Sequence, residues 1–360
     1  MKTNTITQSP SPSVEAPAVD STPLPSPRKL RAAIPPSPVA KATVSNGRAT
    51  IARILEADDP RLLVVCGPCS IHDINASIEY AKRLSHLARR VESRIAIAMR
   101  TYFEKPRSIV GWKGLVYDPE LNGSSDPTLG LGIARRLLAK VNEMGLPCAT
   151  EFLNPVVAPY LEDLIAYGAI GARTAESQIH RELASRLPMP VGIKNDMEGN
   201  IGCALNAVRS ANQAHSFFGT DDDGGNAILN APGNPYAHVF LRGGRSGPNL
   251  DQASIETACD GLARPHLKRP VMLDCSHANS GKDHRRQGSN ALEATRLFQE
   301  GRDAIAGIML ESNLVEGNQP IETGVNRTYG QSVTDSCIGW DETESVILKI
   351  HDLLNSKIDT

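Results

Sequence analysis

After residue 45 the chain repeats one pattern: a short apolar run, then a longer segment with a helical apolar period. The runs are Leu62–Val65, Ile95–Met99, Cys148–Phe152, Ala169–Ala172, Val191–Ile193, His238–Leu241, Val271–Leu273 and Ile305–Leu310. Most are rich in β-branched or small apolar residues and show no alternation. That is the signature of strands buried on both faces of a parallel sheet. Between the first two runs, Ile74, Ile78, Ala81, Leu84, Leu87, Ala88 and Val91 fall on one helical face, which predicts a helix over Ile74–Val91. Asp126-Pro127 opens another helix, with proline at its first position, and Gly145 closes it. Thr174–Leu187, Asn200–Ala214, Asp251–Ala263, Ser289–Gln299 and Asp341–Leu354 read the same way. Eight strand–helix alternations are the number that closes a parallel barrel, so the expected fold is α/β, a (β/α)8 TIM barrel. An open doubly wound sheet would want a Gly-rich phosphate loop after its first strand, and no G-x-G-x-x-G or Walker sequence stands there.

Residues 1–40 break the pattern. Nine of the chain's 25 prolines lie there among Ser, Thr and Ala, without either apolar period. Such a stretch cannot bury enough surface to offset its ordering entropy. The expected organisation is a largely disordered N-terminal extension over 1–40 and a barrel over 41–360. Disorder should reach about residue 27, with Arg28–Ile34 docked on the body or on a neighbouring subunit. The formal net charge is −2 and the pI about 6.5, so neither nucleic acid nor an anionic membrane is an expected partner. No apolar run approaches the ~20 residues that span a bilayer. The N-terminus lacks a signal-peptide core, and Glu15 and Asp20 argue against a transit peptide. A cytoplasmic location is expected. The seven cysteines are scattered and read as reduced thiols.

The chemistry lies just beyond each run. Gly67-Pro68-Cys69 comes after the first, and Arg100, Lys105 and Arg107 after the second. Glu151 is near the end of the third, Arg173 comes after the fourth, and Lys194 after the fifth. Arg242-Gly243-Gly244 comes after the sixth, Asp274 and His277 after the seventh, and Glu311 after the eighth. The C-terminal ends of the strands form the face on which barrel enzymes build active sites. If strands merely stopped where polarity begins, these ends would be mixed and the strand starts equally polar, and they are not. Arg100, Lys105, Arg107, Arg173, Lys194 and Arg242 converge on one mouth. Cations gathered without anions repel, so the site expects anionic ligands, such as a phospho-acid together with a second phosphate. Cys69, His277 and Glu311, completed by Asp335, form a second set suited to a divalent metal with open positions. Any one of these four alone reads as an ordinary core residue; the four together read as ligands.

Two motifs mislead. Cys66-Gly67-Pro68-Cys69 has the form of a thiol redox motif, but Cys66 continues the apolar run and points into the strand layer, and a redox role leaves the cations unexplained. Asp221-Asp222-Asp223-Gly224 lacks the ligand spacing of a calcium loop and reads as an exposed turn.

Long motifs then carry a resemblance. Gly67-Pro68-Cys69-Ser70-Ile71-His72-Asp73, Met99–Arg107 running on to Gly111–Leu115, Gly168–Thr174, Leu241–Gly244, Ser276–Asn279 and Glu311–Gln319 resemble the class I, bacterial and fungal type, 3-deoxy-D-arabino-heptulosonate 7-phosphate (DAHP) synthases. The likeness runs from about residue 28 to the end. It implies a transferase joining phosphoenolpyruvate to erythrose 4-phosphate at the start of the shikimate pathway, and an oligomer, a homodimer or homotetramer. The implied cofactor is a divalent metal ion, Mn2+ first, with Fe2+, Co2+ and Zn2+ as alternatives. The implied metal ligands are Cys69, His277, Glu311 and Asp335. Arg100, Lys105 and Lys194 would meet the phosphoenolpyruvate carboxylate. Arg173, Arg242 and the Gly171-Ala172 backbone would meet its phosphate. Pro106-Arg107-Ser108 would hold the aldose phosphate, with Ser108 keeping the hydroxyl of a frequent Thr. Glu151, Lys194 and His277 are the implied groups for positioning or deprotonating water, and Lys105 is counted with them as catalytic. A related activity would use arabinose 5-phosphate, but Lys105-Pro106-Arg107-Ser108 argues for the four-carbon sugar. A non-catalytic relative would be expected to have lost a ligand or a cation, and none is missing. Regulated members also bind an aromatic amino acid away from the catalytic mouth. The matching stretches here are Asn154–Val157, Ser185–Pro188 and Phe217–Thr220. Arg186 and Pro188 stand where the family is usually small, and Lys194–Gly199 departs from the common Lys-Asn-Gly-Thr-Asp-Gly. Weak or altered feedback is therefore expected.

Overall fold

The computed structural model describes residues 20–262, 267–300, 304–321 and 326–356. Eight parallel strands form a closed barrel: β1 (Leu62–Gly67), β2 (Ile95–Arg100), β3 (Cys148–Glu151), β4 (Tyr167–Ile170), β5 (Val191–Lys194), β8 (Ala237–Leu241), β9 (Val271–Asp274) and β10 (Ile305–Glu311). β1 pairs with β2 on one side and with β10 on the other, which closes the ring. Each strand is almost wholly buried because it faces two apolar layers. Leu63, Val65, Ala98, Ala149, Tyr167, Phe240, Met272 and Met309 fill the inside. Leu62, Val64, Cys66, Ile97, Ile193, Leu241 and Leu273 pack outward against the helices. The absence of alternation in the sequence follows from this double burial.

The surrounding helices are α3 (Ile74–Val91), α4 (Pro127–Glu143), α6 (Gln178–Arg186), α7 (Ile201–Ala211), α8 (Gln252–Leu262), α9 (Gln287–Gln299) and α10 (Trp340–Asn355), with a single turn, α5 (Ala158–Leu161), before β4. Caps explain several starts. The Asp73 side chain accepts the Ala76 amide, and the Asp126 side chain accepts that of Leu129 ahead of Pro127. Two expectations need correction. The fourth strand is Tyr167–Ile170 rather than Ala169–Ala172, because Gly171–Ser177 turns back on itself through Thr174 N–Gly171 O and Ser177 N–Thr174 O bonds. For the same reason the next helix begins at Gln178 rather than Thr174.

Two features were not foreseen, and a third, helix α1, falls where docking was expected. Helix α2 (Pro38–Leu55) runs across the expected boundary at residue 40 and lies under the barrel. Its Ile51, Ile54 and Leu55 join the interior cluster with Leu63 and Val65, so they close the floor. Gly47 allows this approach, since a Cβ there would lie 2.9 Å from Pro147 Cβ. Strands β6 (His215–Thr220) and β7 (Asn226–Ala231) form an antiparallel hairpin outside the barrel. Asp221–Gly224 is its tip, as the turn reading expected. Helix α1 (Pro27–Ala33) docks on the body of its own chain. Arg28 N donates to Asp222 O (2.8 Å), Arg28 pairs with Asp223 and Arg31 with Asp222, and buried Arg135 donates to Ile34 O (2.9 Å). Asp20–Ser26 has no regular structure, and residues 1–19 of the expected disordered tail lie outside the described residues.

Candidate active site

Strand pleating delivers the site. Side chains two residues apart on a strand share a face. Arg100, Glu151, Asp274 and Glu311 each stand two residues beyond an interior residue, namely Ala98, Ala149, Met272 and Met309. They therefore point into the barrel mouth, as does Arg242 beyond Phe240. Lys194 closes β5 and is also buried.

Arg100 is wholly buried and is the hub. Its guanidinium donates to Glu311 Oε1 (2.7 Å), Pro68 O (3.1 Å) and Cys69 O (3.0 Å), and it lies 3.5 Å over the Tyr102 ring. Burial would lower its pKa, but Glu311 and its other neighbours outweigh burial and raise it. Gly67 makes room for β2, since a Cβ there would lie 2.7 Å from Arg100 O. Lys194 Nζ sits between Glu151 Oε2 (3.5 Å) and Asp274 Oδ2 (3.6 Å). Burial pushes both acids up, yet their neighbours hold both below the usual range: Lys194 foremost for Glu151, His277 and then Lys194 for Asp274. Gly171 admits Glu151, because a Cβ there would meet Glu151 Oε1 at 2.5 Å.

The thiol of Cys69 and the carboxylates of Glu311 and Asp335 place one ligand atom each within 4.8 Å of one another. His277 stands at the edge of this group, with Nε2 3.7 Å from Glu311 Oε1. Its Nδ1 lies 2.8 Å from both Asp274 Oδ2 and Ser276 Oγ, so the ring's second nitrogen is braced and Nε2 is left to face the group. The residue takes φ 47°, a strained value for a non-glycine. Burial and the neighbouring Glu311 push the Cys69 thiol up to about 11. Lys105 Nζ lies 3.0 Å from Cys69 Sγ and 4.0 Å from Asp335 Oδ2. A thiol, an imidazole and two carboxylates that need a positive charge among them fit a divalent ion. Glu176, Asp196 and Cys203 also come together. There, however, Asp196 Oδ1 already braces a loop by accepting the amides of Glu198, Gly199 and Asn200.

One cleft is lined by all six cations: Arg100, Lys105, Arg107, Arg173, Lys194 and Arg242, together with Pro106, Glu151, Ala172, His277 and Asp335. Arg107 and Arg173 are exposed at its rim. Ser108 is exposed and Gly171 is buried; neither is among the lining residues. Three further groups were missed. Asp274 was noticed only as a strand end, although it pairs with both Lys194 and His277. Lys282, at φ 63°, adds a seventh cation to the lining. Glu104 lines it beside Lys105. Within the sequence, Asp274 had a signal in its place three residues before His277; Lys282 and Glu104 had none beyond proximity to motifs. The redox reading of Cys66 fails on geometry: its thiol is buried against Tyr80 Oη (3.2 Å), and burial pushes it up to about 11.

A family model, the DAHP synthetase I family, matches residues 39–347. The chain belongs to that family. The Trp-sensitive phospho-2-dehydro-3-deoxyheptonate aldolase of Enterobacter agglomerans is 48% identical over 332 residues, 92% of this chain and 95% of its own. The Tyr-sensitive enzyme of Escherichia coli K12 is 47% identical over 333 residues, 92% and 93% of the two chains. A solved phospho-2-dehydro-3-deoxyheptonate aldolase from Francisella tularensis SCHU S4 superposes with a TM-score of 0.91 at 43% identity, covering 94% of this chain and 98% of its own. The DAHP synthetase I membership and the barrel thus agree with the expectation from the motifs.

Proposed function

We infer that the chain catalyses the DAHP synthase reaction, the condensation of phosphoenolpyruvate with erythrose 4-phosphate that opens aromatic biosynthesis. Family membership carries the reaction class. The observation that carries the residue roles is the single cleft where six cations meet the Cys69–Glu311–Asp335 group.

Cys69, His277, Glu311 and Asp335 would hold a divalent ion, Mn2+ in the first instance. When bound, that ion supplies Lewis-acid polarisation of the aldehyde carbonyl. Arg100, Lys105 and Lys194 bind the phosphoenolpyruvate carboxylate. Arg242, Arg173 and the Gly171-Ala172 amides bind its phosphate. Arg107, with Pro106 and Ser108, takes the phosphate of the aldose at the rim. This arrangement presents carbon 3 of phosphoenolpyruvate to the aldehyde carbon, and the new C–C bond leaves positive charge at carbon 2. Water adds there, and phosphate leaves with its bridging oxygen by C–O cleavage. Glu151, Lys194 and His277 border that position and orient the water or take its proton. No Schiff base is required of any lysine.

Regulation and assembly follow the same reading. The three stretches expected at an effector site supply Pro155, Val156, Arg186 and Phe217–Thr220 to one cavity of about 800 Å³ between the hairpin and α6. Arg186 reaches Glu162 Oε2 at 3.0 Å across its wall. Such a fixed, charged side chain weakens or alters binding of an aromatic amino acid there. A homodimer or homotetramer in the cytoplasm completes the proposal. Among the described residues no helix is long and apolar enough to cross a membrane.

The test is phosphate release from phosphoenolpyruvate. It should need erythrose 4-phosphate, stop with EDTA and return with Mn2+. Release with arabinose 5-phosphate instead, or none with any divalent metal, would overturn the proposal.

A further inference from the structure

Glu104 is a carboxyl with 4% of its surface exposed, beside the catalytic mouth, and among the described residues it has no ion-pair partner. Burying such a group unpaired is costly, so its contacts need a reason. They join three pieces of chain. Glu104 itself stands on the outgoing limb of the loop after β2. Its Oε1 accepts the hydroxyl of Tyr117, on the returning limb, at 3.1 Å. Its Oε2 faces the amides of Leu153 (3.3 Å) and Asn154 (3.4 Å), in the loop after β3. Asn154 Nδ2 closes the cluster by donating to Tyr117 Oη (3.0 Å).

The loop braced in this way is the one that carries Lys105–Ser108. Its limbs are stitched below that turn by Lys105 N–Lys113 O (2.8 Å) and Val116 N–Phe103 O (3.3 Å). Gly114 lets the limbs approach, since a Cβ there would lie 2.2 Å from Phe103 O. Beyond this stem Arg107 donates to Trp112 O (2.7 Å), and the tip from Ser108 to Val110 is exposed. The Lys105 end is held separately, by Nζ to Cys69 O (3.4 Å) and Sγ (3.0 Å); among the described residues no hydrogen bond ties Arg107 or Ser108 to the barrel side of the cleft. Lys105 points away from Glu104 toward Cys69.

We propose that Glu104 is a positioning residue. By clamping both limbs of the loop to the segment after β3, it sets where Arg107 meets the aldose phosphate. This rests on the assignment of Arg107 to that phosphate. Misplacing a binding group by about 1 Å costs up to ~100-fold, so loss of the clamp should raise the KM for erythrose 4-phosphate by roughly tenfold.

Steady-state kinetics on the Mn2+-loaded enzyme test it. Glu104→Ala should raise KM for erythrose 4-phosphate about tenfold, leaving KM for phosphoenolpyruvate and kcat within about twofold. Glu104→Gln should restore wild-type values, because its carbonyl accepts the two amides and its NH2 donates to Tyr117 Oη. If Glu104→Ala does not fold, Tyr117→Phe decides, with a several-fold rise in the same KM expected. Both KM values rising together, or Gln failing to rescue, overturns the proposal. So does an unchanged Tyr117→Phe. Arg107→Ala separates the two levels: an unchanged aldose KM in that variant removes the loop assignment itself. A raised value there with normal Glu104→Ala and Tyr117→Phe removes only the clamp.

Discussion

Lys194→Met is the sharpest test of how the mouth is held together. The substitution keeps most of the volume and removes the charge. In the wild type, Lys194 Nζ lies 3.5 Å from Glu151 and 3.6 Å from Asp274, and all three are buried. At an effective dielectric constant of ~20, each attraction is worth roughly 5 kcal/mol. Desolvation takes back several kcal/mol per ion. Removing the shared cation strands two carboxylates, so about 3–5 kcal/mol of stability should be lost. The pH dependence carries the sign. Glu151 is held below its ordinary range, so in the wild type its contribution is present above about pH 4.5 and is lost on acidification. Without Lys194, the opposition to burial weakens and the Glu151 pKa rises. The gap between variant and wild type should therefore narrow as pH falls from 8 to 5. Urea unfolding followed by circular dichroism, with EDTA to keep metal out, measures both effects. Glu151→Gln combined with Lys194→Met removes one stranded charge and should recover about half of the loss. A gap below about 1 kcal/mol at pH 8, or one that widens on acidification, would falsify the electrostatic account.

Two other outcomes are expected. Burial raises Glu104 to about 7 despite the amides of Asn154 and Leu153. A raised acid contributes stability below about pH 4.5 and loses it as pH rises through about 7, so Glu104→Gln should gain on the wild type between pH 5 and 8 by on the order of 3 kcal/mol; thermal unfolding across that range showing a constant difference refutes this. Phenylalanine, tyrosine and tryptophan should inhibit the wild type weakly, and Arg186→Gly should lower the inhibitory concentration of one of them about tenfold; low-micromolar inhibition of the unaltered enzyme sinks the idea.

The barrel was legible because double burial leaves each strand as an unbroken apolar run. The site was legible because strand ends in a barrel face one mouth, so charged residues there needed no knowledge of tertiary contacts. Helix α2 was not. Its buried face is built partly from Ala40 and Gly47, whose apolar signal is thin, while Val39 is 57% exposed. The β6–β7 hairpin was reduced to its turn, because Phe218 and Ile228 point outward and blur the alternation. Asp274 escaped a role because one of its two partners, Lys194, lies on a different strand, and only His277 is near in sequence. Glu104 escaped because its partners, Tyr117, Leu153 and Asn154, are spread over two loops.

Helix α2 also decides traffic. Ile51, Ile54 and Leu55 seal one end of the barrel, and Tyr167, His238 and Phe240 fill its bore, with Tyr167 Oη 2.9 Å from His238 Nε2. No through-passage exists among these residues. Both substrates must arrive, and the sugar acid and free phosphate must depart, by the same cation-lined doorway. On the proposed assignment of the cations, inorganic phosphate is retained by the charges that recruit its parent ester, and it should compete with phosphoenolpyruvate for re-entry.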